Sequence, residues 1–149
     1  MKKQTLLRAC CALIIFLFLY ASVSKLAHFR LFLHDMYNQP FPYWFASFLI
    51  GFIPLSEIVI SALLIFDRTR RAGLWGSLGL MSLFTVYTGA VLLNFFGKAY
   101  PCSCGGVIRK LTWNQHLILN LAFIGIALTG IGVVKKLRRQ SPINRIAYT

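Results

Sequence analysis

Acidic residues are scarce in this sequence. Only 3 Asp and Glu residues stand against 16 Lys and Arg, so the 149-residue chain carries a formal net charge of +13. Charged residues make up 13% of the chain and hydrophobic residues 58%, whereas soluble proteins average about 25% and about 45–50%. The shortage of polar residues excludes an intrinsically disordered chain and a soluble nucleic-acid module, and we expect no nucleic-acid partner.

The four cysteines form two close pairs, Cys10 with Cys11 and Cys102 with Cys104. Because the charges are confined to short patches between long apolar runs, a small disulfide-stapled secreted scaffold is excluded. The chain is long enough for one domain. Long apolar runs are abundant instead, so we predict an all-α integral membrane protein with the lipid bilayer as its first partner.

Four apolar runs are long enough to span a bilayer, which needs about 20 residues. They cover about 9–27, 43–66, 72–97 and 113–134. The sequence shows no strand alternation, so helices are the only structures expected to satisfy their own backbone hydrogen bonds in lipid. Small residues that allow close helix approach occur on the last two runs: Gly73, Gly76, Ser77, Gly79, Gly125, Gly130 and Gly132. We therefore predict one four-helix bundle domain over residues 1–139, followed by a loose cytoplasmic tail over 140–149.

The distribution of Lys and Arg predicts the orientation. One side of the predicted bundle carries eleven basic residues: Lys2, Lys3, Arg8, Arg68, Arg70, Arg71, Lys135, Lys136, Arg138, Arg139 and Arg145. The other side carries five: Lys25, Arg30, Lys98, Arg109 and Lys110. Both termini are therefore expected in the cytoplasm, and the loops at about 28–42 and 98–112 are expected outside.

The first outer loop contains an amphipathic pattern. Its apolar residues recur at helical spacing, namely Phe29, Phe32, Leu33, Met36 and Tyr37, and its polar residues fall elsewhere, namely Arg30, His34, Asp35 and Asn38. This pattern predicts a short helix lying on the outer membrane surface, ended by the sequence NQPFP.

Cys102 and Cys104 lie in the second outer loop, where the predicted compartment permits disulfides. Two residues apart, their α-carbons are separated by at most about 7 Å, which overlaps the range that a disulfide accepts. Such a ring is tight, and tight disulfides tend to be oxidising and labile. We therefore predict a redox-active pair as the catalytic residues.

Two neighbouring features favour the reactive thiolate form: basic residues and the start of a helix. Arg109 and Lys110 supply positive charge close in sequence. Thr112 and Gln115 have the spacing of a capping box at the start of the last span. The positive end of that helix then points toward the cysteine loop.

Other roles for the outer cysteines stay open. The pair could form an inert disulfide or bond to a partner chain, or Cys102, Cys104 and His116 could bind Cu(I) or Zn(II), with His28 and His34 as further candidate ligands. No C-x₂-C or H-x₃-H spacing supports the metal site. Cys10 and Cys11 are expected to be small apolar helix residues.

Glu57 is the one charge in the second span, and an intramembrane carboxylate suggests a function. Counting residues from the span ends places Lys25 nearer the outer surface. Hydroxyl groups at the depth of Glu57 are therefore its expected partners: those of Tyr20, Ser82, Thr85 and Thr129. An interhelical clasp and a proton relay are both consistent with its position.

Four stretches of this sequence resemble the MauE/DoxX family of small four-helix membrane proteins. They are YASVSKLAHF, QPFPYW, GFIPLSEIVISALLIF and CSCGG…LTWNQHLILN, spread over about residues 16–125. Pro54 and Glu57 match the family's Pro-x-x-Glu. Ser22, Ser24 and Lys25 match its Ser-Gly-x-x-Lys loosely, and Gly105 stands where a Phe often follows the Cys-x-Cys.

The resemblance implies a redox-associated protein of the bacterial inner membrane. MauE-like proteins are linked to maturation of methylamine dehydrogenase, whose small subunit is rich in disulfides, often beside a thioredoxin-like partner. DoxX-like proteins are linked to quinone-coupled sulfur oxidation. The first run could also be read as a signal peptide cleaved after Ser22 or Ser24, but the matching Ser and Lys residues favour a retained span.

We therefore predict a membrane thiol–disulfide oxidoreductase that acts on an extracytoplasmic thiol protein, with a quinone as electron acceptor. Cys102 and Cys104 are its predicted catalytic residues. The supporting residues are Arg109, Lys110, Glu57, Tyr20 and Lys25. The alternative is a noncatalytic assembly protein whose cysteine pair is structural or binds metal.

Overall fold

The computed structural model describes residues 2–95, 97 and 112–146, and this part of the chain is helical. Its five helices are α1 (Lys2–Ala27), α2 (Phe29–Tyr37), α3 (Tyr43–Ile65), α4 (Arg70–Leu92) and α5 (Trp113–Ile146). All but α2 contain a stretch long and apolar enough to cross a membrane. Over the described residues, this confirms the predicted all-α class and four helices that are long and apolar enough to span a membrane.

The third spanning helix ends earlier than the apolar run predicted. α4 stops at Leu92, and Asn94 adopts a left-handed backbone with φ of 55°. The amide of Phe95 then donates to the carbonyl of Ala90 at 3.1 Å. This closure satisfies a carbonyl that the last helical turn leaves unpaired, and Asn is one of the few residues that enter the left-handed region readily.

The C-terminal tail also differs from the prediction. Residues 140–146, expected to be loose, continue α5 as far as Ile146. A helix that has already nucleated extends at little cost per residue, although Pro142 contributes no amide hydrogen bond. At about 1.5 Å per residue, α5 is longer than the hydrocarbon core of a bilayer is thick.

The four long helices form a closed ring of neighbours. α1 packs against α3 and α5, and α4 packs against the same two helices. Successive long helices run in opposite directions. One end, called the basic end, therefore holds the start of α1, the turn between α3 and α4 and the last turns of α5. The opposite end, called the loop end, holds α2, the end of α4 and the start of α5.

Two glycines allow very close helix contacts in the half of the bundle nearer the basic end. A Cβ atom placed on Gly73 would lie 2.9 Å from Leu64 Cδ2, and one on Gly130 would lie 2.9 Å from Leu74 Cδ2. Leu64 and Leu74 are fully buried there. The predicted role of small residues is thus confirmed at these contacts, whereas Gly79, Gly125 and Gly132 face open space.

Large apolar side chains also cover the outside of the bundle. Phe16, Leu55 and Val86 are 72%, 61% and 71% exposed, on three different helices. So much exposed apolar surface would be unfavourable in water, but it matches a hydrocarbon environment. The exposed faces and the apolar helices identify a membrane protein.

α2 packs on the bundle through part of its apolar face. Phe32 and Met36 are buried against a patch of α3 formed by Ala46, Ile50 and Ile53. Asp35, which the amphipathic pattern placed on the polar face, is also buried. The predicted short helix is therefore present, and its position beside the loop end of α3 is consistent with an interfacial helix.

Candidate functional site

A buried ion pair joins α1 to α3. Lys25 Nζ donates to Glu57 Oε1 at 2.5 Å, and the two side chains are only 4% and 2% exposed. Removing two charges from water is costly, and only a direct contact of opposite charges offsets much of that cost. The two residues are therefore tightly interdependent.

This pairing differs from the expectation that Glu57 bonds to a hydroxyl group. Each Cα–Cβ bond leans toward the N-terminus of its own helix. Because α1 and α3 are antiparallel, Lys25 reaches toward the basic end and Glu57 toward the loop end, so the two side chains converge. Counting Cα positions alone missed this convergence.

The hydroxyl residues proposed as partners of Glu57 lie elsewhere. Tyr20 stacks on Phe16, with ring centroids 6.3 Å apart. Thr85 and Thr129 each donate to a carbonyl of their own helix at 2.8 Å. Ser82 is exposed on α4.

A second contact joins the same two helices beside the ion pair. The Ser22 hydroxyl donates to the carbonyl of Pro54 at 3.4 Å, and both residues are buried. Ser22 and Lys25 are three residues apart on α1, and Pro54 and Glu57 are three residues apart on α3, so each pair lies on one helix face. The two motifs that carried the family resemblance thus meet in one seam, called here the α1–α3 seam.

Glu57 keeps one oxygen unused in the described part of the chain. Oε2 is buried and has no hydrogen-bond partner there, although Ser61 donates to the backbone carbonyl of Glu57 at 2.8 Å. An unpaired buried acceptor costs about 1–3 kcal/mol. The seam therefore combines a strong contact with an unsatisfied group, and both a clasp and a proton-handling role remain compatible with it.

The loop end carries a network that the sequence did not reveal, called here the loop-end network. Tyr87 of α4 donates through its hydroxyl to Gln39 Oε1, and Gln39 Nε2 donates to the carbonyl of Asp35 at 2.9 Å. The Tyr87 ring also packs against the rings of Phe41 and Trp113, with centroid distances of 5.5 Å and 6.4 Å. The sequence NQPFP predicted only a turn, although a Gln beside a Pro-aromatic turn was an available signal.

The predicted catalytic cysteines lie outside the described residues. The same holds for Arg109 and Lys110. One of the two hydrogen bonds of the predicted capping box next to them is present, because the backbone amide of Thr112 donates to Gln115 Oε1 at 2.8 Å. The positive end of α5 is therefore formed directly after the cysteine segment.

His116 is the one histidine with a buried side chain among the described residues. It is 2% exposed, and its Nε2 has no hydrogen-bond partner there. His28 and His34 are exposed near α2. Within residues 2–95, 97 and 112–146, no group of three His, Cys, Asp or Glu side chains is arranged to hold a metal ion.

Cys10 and Cys11 are buried free thiols near the basic end. Cys11 belongs to the apolar core with Leu7 and Ile14. A Cβ atom on Gly130 would lie 3.8 Å from that of Cys10. Both cysteines therefore serve as small core residues, as predicted.

These helices, the lipid-compatible exterior and the buried polar seam define a multi-pass helical membrane protein. A family model described as methylamine utilisation protein MauE matches residues 3–133. The chain belongs to this family, which confirms the MauE part of the predicted resemblance. No curated protein and no solved structure matches the chain.

Proposed function

We propose that this chain is an accessory membrane protein of methylamine utilisation that supports disulfide formation in an extracytoplasmic partner. The family description supplies the biological setting. The observation that carries the chemistry is the Cys102-x-Cys104 pair, in which Cys104 comes eight residues before Thr112 at the capped, positive end of α5. The other two cysteines are buried in the core, so the outer pair is the candidate for exchange.

The proposed reaction is a thiol–disulfide exchange. A partner thiolate attacks one sulfur of the Cys102–Cys104 disulfide and forms a mixed disulfide, and the second partner thiol resolves it. The partner gains one disulfide and loses two protons and two electrons, which reduce the Cys102–Cys104 disulfide to two thiols. Arg109 and Lys110 would favour the thiolate form during re-oxidation.

Re-oxidation needs an acceptor of two electrons. A lipid-soluble quinone is the class that the resemblance to DoxX proteins implies. A cysteine pair that stays reduced in cells depleted of respiratory quinone, and is oxidised again when quinone synthesis is restored, would support this part of the proposal. A pair that stays oxidised without quinone would exclude it.

The proposal also assigns an orientation in the bacterial inner membrane. The basic end faces the cytoplasm and the loop end faces outward, so a thioredoxin-like or other extracytoplasmic thiol protein can reach the cysteine pair. Residues 1–139 act as one membrane domain. A membrane-impermeant thiol reagent added to intact spheroplasts should label reduced Cys102 and Cys104, whereas labelling only after lysis would contradict the orientation.

The decisive experiment follows the redox state of the outer pair in living cells. Cys10 and Cys11 are first replaced by alanine, which adds no polar group to the core. Free thiols are then alkylated with a reagent of known added mass, before and after a reductant pulse. The pair should cycle, and Cys102→Ser or Cys104→Ser should trap a mixed disulfide with a partner. Normal partner oxidation in both serine variants would overturn the proposal.

A metal-binding assembly protein is the second candidate, because the buried Nε2 of His116 has no hydrogen-bond partner among the residues that the structure describes. Cys102, Cys104 and His116 would then hold Cu(I) or Zn(II), which favour thiolate and imidazole ligands. Purified protein would retain stoichiometric metal, and His116→Gln would lose it. Metal-free protein with a cycling cysteine pair would reject this candidate.

A further inference from the structure

Exposed cations of three helices lie at nearly one depth near the basic end. A Cβ atom on Gly130 would lie 2.9 Å from Leu74 Cδ2 and 3.8 Å from Cys10 Cβ, which marks one level on α1, α4 and α5. Counted from that level toward the basic end, exposed basic residues follow on all three helices within about 3 to 9 Å. Together with one residue of the α3–α4 turn they are called here the basic collar: Arg8, Arg68, Arg71, Lys135 and Lys136.

The basic collar is not neutralised by acidic side chains. Of the three acidic residues in the chain, only Asp67 belongs to the basic end, and it pairs with Arg70. Arg70 also donates through Nε to the carbonyl of Leu64 at 3.4 Å, so this ion pair serves the turn itself. Within the described residues, no collar side chain has an acidic partner. The collar therefore attracts its counter-charges from outside the chain.

An exposed apolar face of α4 begins directly inside the basic collar. Trp75 lies one turn after Arg71 on the same side of α4 and is 53% exposed. One turn further, nothing lies within 4 Å of a Cβ atom on Gly79. Leu83 and Val86 continue the exposed surface, which is called here the α4 strip. From Trp75 to Val86 the strip measures about 17 Å, close to half the thickness of a hydrocarbon core.

We propose that Arg68, Arg71 and the α4 strip bind an anionic phospholipid. The guanidinium groups pair with the headgroup phosphate, which they recognise better than a lysine does. Trp75 lies at the level of the ester groups, where indole rings are favoured, and one acyl chain covers the strip.

The occupant has to be anionic at one end and apolar along the rest. A soluble polyanion could neutralise the basic collar but would leave the α4 strip uncovered, whereas an uncharged lipid would cover the strip and leave the arginines unpaired. An anionic phospholipid satisfies both parts of the surface. This inference goes beyond the proposed function and does not depend on it.

Trp75 provides the readout, because brominated acyl chains quench indole fluorescence on contact. Trp44 and Trp113 lie at the loop end and are replaced by phenylalanine, so that Trp75 reports alone. The full-length protein is placed in phosphatidylcholine vesicles that contain an equal fraction of either brominated phosphatidylglycerol or brominated phosphatidylcholine. The ratio of quenching by the two lipids gives their relative binding constant beside Trp75.

Phosphatidylglycerol should bind at least about fivefold more tightly than phosphatidylcholine at low salt, the effect of one cation near an anionic surface. The preference should shrink as salt is raised, because the collar is exposed. The double variant Arg68→Gln and Arg71→Gln should bind the two lipids about equally. Trp75 fluorescence without bromine should be the same in every variant, which shows that all of them insert alike.

Two controls separate the proposed site from a general attraction to the net charge of +13. Arg30→Gln removes an exposed cation of α2 and should leave the preference at Trp75 unchanged. A second reporter protein keeps only Trp44, which is 73% exposed near the start of α3. Trp44 should show a weaker preference for phosphatidylglycerol than Trp75 does.

Three results would overturn the inference: no preference at Trp75, a preference that survives loss of both arginines, or an equal preference at Trp44. In the last two cases the lipid would respond to the charge of the whole chain and not to Arg68 and Arg71. None of these measurements depends on the redox state of the cysteine pair. Failure of the proposed function would therefore leave this inference standing, and the reverse also holds.

Discussion

The two halves of the bundle are held together by different forces. Toward the basic end, α1, α3, α4 and α5 pack through apolar side chains and glycine contacts such as those of Gly73 and Gly130. Toward the loop end, the interhelical contacts include the Lys25–Glu57 ion pair and the Tyr87–Gln39 hydrogen bond. Polar contacts thus concentrate in the half that adjoins the cysteine segment.

The difference follows from what each kind of contact can do in a membrane. Lipid tails are as apolar as the helices, so close van der Waals packing is what holds apolar faces together. Apolar packing alone allows several similar helix arrangements, unless close glycine contacts restrict them to one. Buried polar pairs are costly unless they meet in one geometry. The polar contacts of the loop-end half therefore fix the relative positions of the helices that they join.

The largest expected effect comes from breaking the ion pair. Lys25→Ala leaves the Glu57 carboxylate buried without its partner, and such changes typically cost about 3–5 kcal/mol. The free energy of unfolding, measured in detergent micelles or bicelles, should fall by that amount. Destabilisation below about 1 kcal/mol would show that the pair contributes little.

The matched control for this prediction removes both charges. Lys25→Met together with Glu57→Met should recover most of the lost stability, because no uncompensated charge remains in the apolar interior. If the double variant were as unstable as Lys25→Ala, shape and not charge would explain the loss.

A smaller effect is expected from filling a glycine contact. The new Cβ in Gly73→Ala would lie 2.9 Å from the Leu64 side chain and 3.0 Å from its backbone nitrogen. Relieving this clash must move α3 relative to α4, at a cost of about 1–3 kcal/mol. The unfolding free energy of Gly73→Ala should decrease by this amount.

Gly79→Ala is the control on the same helix. Nothing lies within 4 Å of its added Cβ, and alanine favours a helix by about 0.5–1 kcal/mol over glycine. This variant should be neutral or slightly stabilised. Equal destabilisation of both variants would mean that the Gly73 contact is not specific.

Removing the cap of α5 should cost less. Gln115→Ala leaves the Thr112 amide without its side-chain acceptor, and lost caps cost about 0.5–2 kcal/mol. Hydrogen exchange at the first turn of α5 should become faster while the rest of the bundle keeps its protection. Asn114→Ala, an exposed neighbour, should leave the exchange rates unchanged, and faster exchange in both variants would argue against a capping role.

The smallest effect is expected at the turn of the basic end. Asp67 pairs with Arg70, but its side chain is 85% exposed. Exposed pairs contribute about 0–1 kcal/mol and are screened by salt. Asp67→Asn should change the unfolding free energy by less than about 0.5 kcal/mol, with a smaller difference at high salt. A larger, salt-independent loss would place this turn among the determinants of the fold.

Much of the fold could be predicted from the pattern of residues, and some features could not. The start of α3 and both ends of α2 follow from turn residues and apolar spacing. The end of α4 at Leu92 depended on Asn94 entering a left-handed conformation, which an apolar run does not signal. The partner of Glu57 was missed because residue counting gives the depth of a Cα atom but not the direction of its side chain.

The Cys102–Cys104 pair shows a different relation between sequence and structure. The predicted cap at Thr112 and Gln115 is present, whereas the cysteines lie outside the described residues and their redox role stays a prediction. The loop-end network was not predicted, because Gln39, Tyr87 and Trp113 come from distant parts of the chain. No local pattern joins such residues.

By itself, the sequence determined that this is a helical membrane protein with four long apolar helices, a short amphipathic helix and a basic end. Composition and apolar run length are enough for that, because backbone hydrogen bonds in lipid can be satisfied only within helices or closed barrels. The tertiary structure decided that Lys25 meets Glu57, that Ser22 meets Pro54 and that Tyr87 joins α2 to α5. Those contacts depend on helix direction and on the lean of each side chain, which exist only once the helices have packed.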